Sequence, residues 1–254
     1  MSTLNKNSPP KCISFSGIDG AGKSTQIEAL CARLKEDGLQ ILLIVFWDDV
    51  ARLTKIREAT GHHIFKGEKG VGTPLSPINR RDKNVRSWFM TSVRLFLYTI
   101  DAISVRKAID RALRSEVDLV IFDRFIYDEL ANLTLSNPAI RLYVRLIMKF
   151  VPRPQISFFL DADPIQARAR KPEYPIEFLH VNRHSYRVLN ELIGGMTVIA
   201  PMSIRAAEHA ILRHTKKEIS FSIPPRTSQS LVVREIGSKS AGGNEPFTAH
   251  PNVD

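Results

Sequence analysis

The sequence predicts an α/β fold, a parallel sheet covered by helices on both faces, and three observations predict it. Short apolar runs alternate with stretches of helical periodicity. Those runs are nearly continuous rather than alternating, as strands buried on both faces should be. The first run ends in a glycine-rich turn that opens directly into a helix. In order, Lys11 to Ser16 is the first strand, with Ile13 and Phe15 alternating. From Lys23, apolar residues fall at helical spacing (Ile27, Leu30, Cys31, Leu34), and Gly38 is placed to end that helix. Leu39 to Phe46 is a second strand. Residues 47–86 hold glycines, prolines and the basic run Arg80-Arg81-Asp82-Lys83 with Arg86, and read as a long loop with short helical pieces. Ser87 to Arg114 is a long helix, Asp118 to Phe122 a strand, Pro138 to Phe150 a helix and Ile156 to Asp161 a strand. Pro164 opens a helix at its favoured first-turn position, with helix continuing to about Ile193. A strand at Met196 to Ala200 and a helix at Ser203 to Arg213 complete the domain, 11–213. Residues 1–10, and 214–254 with their Ser, Pro, Gly and Asn, read as disordered flanks.

Composition narrows the function classes. Of 254 residues, 43% are hydrophobic and 24% charged, ordinary for a globular chain. Cys12 and Cys31 make no disulfide framework and read as buried thiols in a reducing compartment. The N-terminus lacks the apolar core of a signal peptide, and the longest apolar run, Ile41 to Trp47, falls far short of the ~18 residues of a membrane span. The expectation is a cytoplasmic protein with no membrane partner. The net charge is +10, of which only +1 lies from His214 onward, so the folded part attracts an anion. Neither stacking motifs nor a helix-turn-helix is present, so phosphates on a small molecule are favoured over nucleic acid.

The strongest signal is Gly17-Ile18-Asp19-Gly20-Ala21-Gly22-Lys23-Ser24, a full G-x-x-x-x-G-K-[ST] match between a strand and a helix. Glycines let successive amides wrap closely around phosphate oxygens, and the helix N-terminus adds its positive dipole end. Lys23 is placed to reach β- and γ-phosphates, and the Ser24 hydroxyl to ligate Mg²⁺. No N-K-x-D string is present, which removes the GTPases. The strand Leu119 to Phe122 ends in Asp123-Arg124. An arginine there holds an anionic acceptor but cannot activate water, which favours transfer over hydrolysis.

These residues resemble the thymidylate kinase family of P-loop nucleoside monophosphate kinases. Four segments carry the resemblance: Phe15 to Thr25, Val120 to Phe125, Phe159 to Pro164 and Arg168-Ala169-Arg170-Lys171. It implies a five-stranded parallel sheet in three layers, ATP and Mg²⁺, and a lid near residues 168–178. It also implies a nucleoside monophosphate as partner, by analogy thymidylate, and a homodimer. In that frame Thr25 closes the ATP-binding segment and Arg124 grips the acceptor phosphate. Asp19 positions the acceptor and Asp123 organises the magnesium shell. Arg168 and Arg170 are nominated as transition-state arginines, or else as a solvated helix face.

The chain departs from that pattern on the acceptor side. After the second strand it runs Phe46-Trp47-Asp48-Asp49, and the nearest glycine-proline echo, Gly70-Val71-Gly72-Thr73-Pro74, comes later. Asp48 is a candidate for hydroxyl recognition. Tyr98 offers a stacking face for the acceptor, or is an ordinary core tyrosine. Asp101 is followed by Ala102, where the family's base-reading arginine would stand. Two rivals therefore stand beside the kinase of monophosphates: a deoxynucleoside or other small-molecule kinase, and a nucleotide-binding module with little turnover.

Overall fold

The computed structural model describes residues 9–50 and 88–218. The side chains of Asp48, Asp49 and Trp88–Met90 lie outside that description. So does the rest of the 47–86 segment from Ala51 onward, with its basic run.

Five strands form one sheet in the order β2-β3-β1-β4-β5. They are β1 (Lys11–Ser16), β2 (Ile41–Val45), β3 (Leu119–Asp123), β4 (Ile156–Leu160) and β5 (Met196–Ile199). Every pairing is parallel; Ile13 of central β1 faces Ile121 on one side and Ile156 on the other. The chain winds from β1 out to β2, returns through β3, and then crosses to β4 and β5. Ligands in open sheets sit beyond the carboxyl ends of the strands at such a reversal, which here is the end of β1.

The helices are α1 (Lys23–Glu36), α2 (Trp88–Ala112), α3 (Ile126–Leu130), α4 (Pro138–Phe150), α5 (Pro164–Arg170), α6 (Ile176–Ile193) and α7 (Ile204–Glu218), with one π-helical turn at Phe46–Val50. On one face Ile27, Leu30 and Leu34 of α1 and Ile211 of α7 cluster with Ile13, Phe15, Ile121 and Phe158. On the other, α2, α3, α4 and α6 cover Leu42, Ile44, Val120 and Phe122. The expected three-layer architecture is therefore present, and the continuous apolar runs are the strands covered on both sides.

Three boundaries differ from expectation. The helix expected to run on from Pro164 breaks at Lys171, which takes φ −141° and ψ 85° ahead of Pro172. A proline disfavours the helical region for the residue before it. Pro175 then caps α6. A short helix, α3, follows Arg124 where none was expected. Finally α7 runs to Glu218 instead of ending at Arg213, so the tail begins later than 214. Burial explains that extension: Thr215 is buried, the His214 ring meets Phe158 at 5.6 Å, and Lys216 pairs with Asp37 of the turn after α1 at 2.7 Å.

Candidate active site

The phosphate cradle starts where β1 ends. Gly17, Gly20 and Gly22 have φ of 148°, 80° and 88°, which side-chain-bearing residues enter only at a cost. Space forbids a side chain as well. A Cβ on Gly17 would stand 2.7 Å from the Leu160 carbonyl oxygen, and one on Gly20 2.2 Å from that of Ala167. The loop is thus wedged between the end of β4 and α5. Gly22 is the N-cap of α1 and provides no side-chain cap, so the first-turn amides around Lys23, Ser24 and Thr25 are left for a ligand.

The Lys23 ammonium is buried and donates to the carbonyls of Gly17 (2.7 Å) and Ile18 (3.0 Å). Burial, and then Arg124, lower its pKa to about 8, against the opposite pull of Asp19, Asp128 and Asp123. The Ser24 hydroxyl lies 3.5 Å from Asp123 Oδ2. Burial raises the Asp123 carboxyl, against the pull of Arg124 and Lys23. A hydroxyl and a carboxylate side by side are hard oxygen donors that fit magnesium arriving with nucleotide phosphates, which needs only one or two protein ligands. Among the described residues no cluster of three His, Cys, Asp or Glu side chains forms a metal site of its own.

Arg124 faces this cradle. It has φ 70°, the one positive φ of a non-glycine among the described residues, and its amide donates to Phe15 O at 3.1 Å. That backbone conformation is sparsely populated and is held by its surroundings. The guanidinium donates to Asp19 within the P-loop and, at 3.4 Å, to Asp128 Oδ1. Burial alone would lower the arginine's pKa; the Asp19 and Asp128 carboxylates outweigh it and hold the group above its usual value.

Sequence reasoning missed the group behind Arg124. Asp128 is buried and accepts from the Ser16 hydroxyl (2.6 Å), the Phe125 amide (3.2 Å) and the Tyr186 hydroxyl (2.8 Å). Tyr186, on α6, stacks on Phe159 at 5.2 Å and 16°, and its hydroxyl also stands 3.2 Å from the Gly17 carbonyl. An acid one turn after Arg124 was a visible signal for Asp128. Tyr186 lies 58 residues further on, and nothing local marks it. A second carboxylate, Asp161 at the end of β4, accepts from Arg183 (2.5 and 3.1 Å) and Arg187 (2.6 Å) of α6. Burial would raise it, but those two arginines hold it below the usual carboxylate range.

The two nominated arginines differ in their setting. Arg168 Nε donates to the Tyr174 carbonyl at 3.0 Å, bracing the turn between α5 and α6, and Tyr174 is buried with its ring 4.9 Å from that of Phe178. Arg170 is exposed, bonded through Nε to its own helix at Gln166 O (3.2 Å), with Nη1 3.9 Å from where a Gly22 Cβ would stand. Tyr98 is buried at 5% exposure in the core cluster. Between α2, the end of α3 and α6, a shallow cleft is lined by Thr91, Arg94, Asn132, Thr134, Phe178 and Asn182. Asn132 Nδ2 donates to Asp128 O at 2.8 Å and Asn182 Nδ2 to Asn132 Oδ1 at 3.3 Å, so hydrogen bonds link the cleft wall to the residue that holds Arg124.

No protein-family model matches the chain. Curated relatives do. It is 28% identical over 167 residues to the thymidylate kinase of Chlorobium luteolum, a match spanning 63% of this chain and 65% of that one. It is 26% identical over 218 residues to the probable thymidylate kinase of Pyrococcus abyssi, spanning 82% and 96%. Solved structures share the fold: thymidylate kinase from Ehrlichia chaffeensis has a TM-score of 0.52 at 21% identity, over 82% of this chain and 99% of that one. The Candida albicans enzyme has 0.58 at 15%, over 83% and 94%. Sequence and fold point the same way: over most of its length the chain is similar to thymidylate kinases.

Proposed function

We propose that this protein transfers the γ-phosphoryl of ATP to thymidylate, giving thymidine diphosphate and ADP. The observation that supports it most is the Arg124 guanidinium, which is bonded to Asp19 of the P-loop. A module that only bound nucleotide would have no use for a second cation facing the first phosphate site.

The P-loop amides and Lys23 hold the donor's β- and γ-phosphates. Arg124 receives the acceptor phosphate, and one of its oxygens attacks the γ-phosphorus in line while the ADP oxygen leaves. The protein's contribution is position and charge, since phosphoryl transfer asks for little covalent chemistry. When bound with the nucleotide at Ser24 and Asp123, magnesium would neutralise charge on the β- and γ-oxygens. Arg170, beside Gly22, is the arginine that closes on the transferring group; Arg168 holds the backbone of the turn that carries it. The acceptor base enters the cleft at Asn132 and Asn182. Both described cysteines are free thiols, which suits a reducing cytoplasm. No helix among the described residues is long and apolar enough to cross a membrane. Two copies associate through the exposed apolar stripe Leu142, Leu146 and Phe150 of α4 with its neighbours Phe96 and Ile103 of α2.

The test is ADP release with thymidylate, other nucleoside monophosphates, nucleosides, or no acceptor. Thymidylate-dependent ADP formation is expected. ADP release driven by nucleosides, or by no acceptor at all, overturns the assignment.

A further inference from the structure

Between the two phosphate sites lies one hydroxyl with two acceptors. Tyr186 OH is 2.8 Å from Asp128 Oδ1 and 3.2 Å from the Gly17 carbonyl. Each acceptor belongs to a different site. Gly17 O also receives the Lys23 ammonium at 2.7 Å, on the donor side. Asp128 Oδ1 also receives the Arg124 guanidinium at 3.4 Å, on the acceptor side. A phenol has a single proton, so Tyr186 serves one acceptor fully at a time. It is fully buried and its pKa is raised well above the usual value, chiefly by burial, so the hydroxyl keeps that proton.

We propose that Tyr186 is a positioning residue that couples donor binding to acceptor binding by switching its hydroxyl proton between Asp128 and the Gly17 carbonyl. The inference rests on the kinase reading given above. Donor phosphates draw the Lys23 ammonium away from Gly17 O. A buried carbonyl that loses its donor is costly, and Tyr186 OH is already within reach. The hydroxyl turns to it, and Asp128 Oδ1 loses its shorter hydrogen bond. Arg124 Nη1, now at a long 3.4 Å, closes on that oxygen. This pivots the guanidinium away from Asp19 and presents its other edge to the incoming phosphate. Donor binding then strengthens acceptor binding, and by linkage the acceptor strengthens donor binding by the same factor. The Phe159 stack fixes the ring, so once the Lys23 ammonium has shifted only the proton and the guanidinium have to move.

The experiment is calorimetric titration of thymidylate into the full chain, with and without magnesium and a non-hydrolysable β,γ-imido ATP analogue. For the unmodified protein the analogue should tighten thymidylate binding by about fivefold or more, the lower range of measured couplings. Tyr186→Phe keeps the ring and removes the proton; its ratio should fall to about one while both ligands still bind. Ser16→Ala removes a different donor from the same carboxylate (2.6 Å to Asp128) and leaves the switch intact, so its ratio should stay near that of the unmodified protein. An unmodified ratio of one, a Tyr186→Phe ratio equal to the unmodified one, or equal loss in both variants overturns the coupling. Absence of any thymidylate binding overturns the kinase reading instead.

Discussion

Lys23 and Arg124 are two cations bonded to one glycine-rich loop, and their environments make opposite demands. Lys23 is buried, with a pKa lowered to about 8, so its charge is lost within a usable pH range. The protonated form binds phosphate, and deprotonation above that pKa removes the attraction. kcat/KM for ATP should therefore fall as pH rises past about 8, by up to tenfold per pH unit, in initial-rate profiles. Lys23→Ala should abolish turnover. Arg124, with Asp19 and Asp128 against it, keeps its charge at any working pH. Arg124→Ala should raise the thymidylate KM and lower kcat by roughly 10²–10³, leaving the affinity for the ATP analogue nearly intact. An unchanged acceptor profile would remove Arg124 from the site. The placing of the glycine-rich loop and of Arg124 beside it was legible in the sequence, because both positions depend on local backbone geometry and a strand end. Asp128 was half legible, and Tyr186 not at all, because its part is set only by the packing of α6 on the sheet.

At the scale of elements, the caps and breaks decide where these side chains stand. Asp163 accepts from the amides of Ile165 and Gln166, both at 3.0 Å, and starts α5. Asp163→Ala should cost about 1 kcal/mol, seen as a Tm lowered by roughly 2–4 °C. Gly20 carries a stricter demand: φ 80° and an Ala167 carbonyl 2.2 Å from any Cβ. Gly20→Ala must push α5 away from the P-loop, and thermal unfolding should register a loss larger than that of the cap variant. The break between α5 and α6 was written in Pro172 and Pro175, yet helical periodicity on both sides hid it. It matters because the turn it makes gives Arg168 a backbone carbonyl to hold, at Tyr174, while Arg170 on the same helix stands beside Gly22. On expectation the two were equal candidates. Arg170→Ala should lower kcat with little change in either KM, whereas Arg168→Ala should act mainly on stability.

Over the whole molecule, α4 shows how much one helix surface can imply. Ile140, Val144 and Ile147 are buried, while Leu142, Leu146 and Phe150 are exposed at 58%, 56% and 41%. Arg106 lies over Phe150 at 5.0 Å, joining α2 to the end of that stripe. Leu146→Glu should halve the molar mass measured by light scattering if the stripe is the contact between copies, and an unchanged mass would dismiss it. The order of elements, the parallel sheet and the glycine-rich loop between β1 and α1 followed from sequence alone, because period, glycine placement and a strand-turn-helix junction are properties of neighbouring residues. That Tyr186 reaches Asp128 and the Gly17 carbonyl was decided by tertiary structure. The physical reason is distance along the chain: those contacts join β1, β3 and α6 across the carboxyl edge of the sheet, and no local pattern records which side chains meet there.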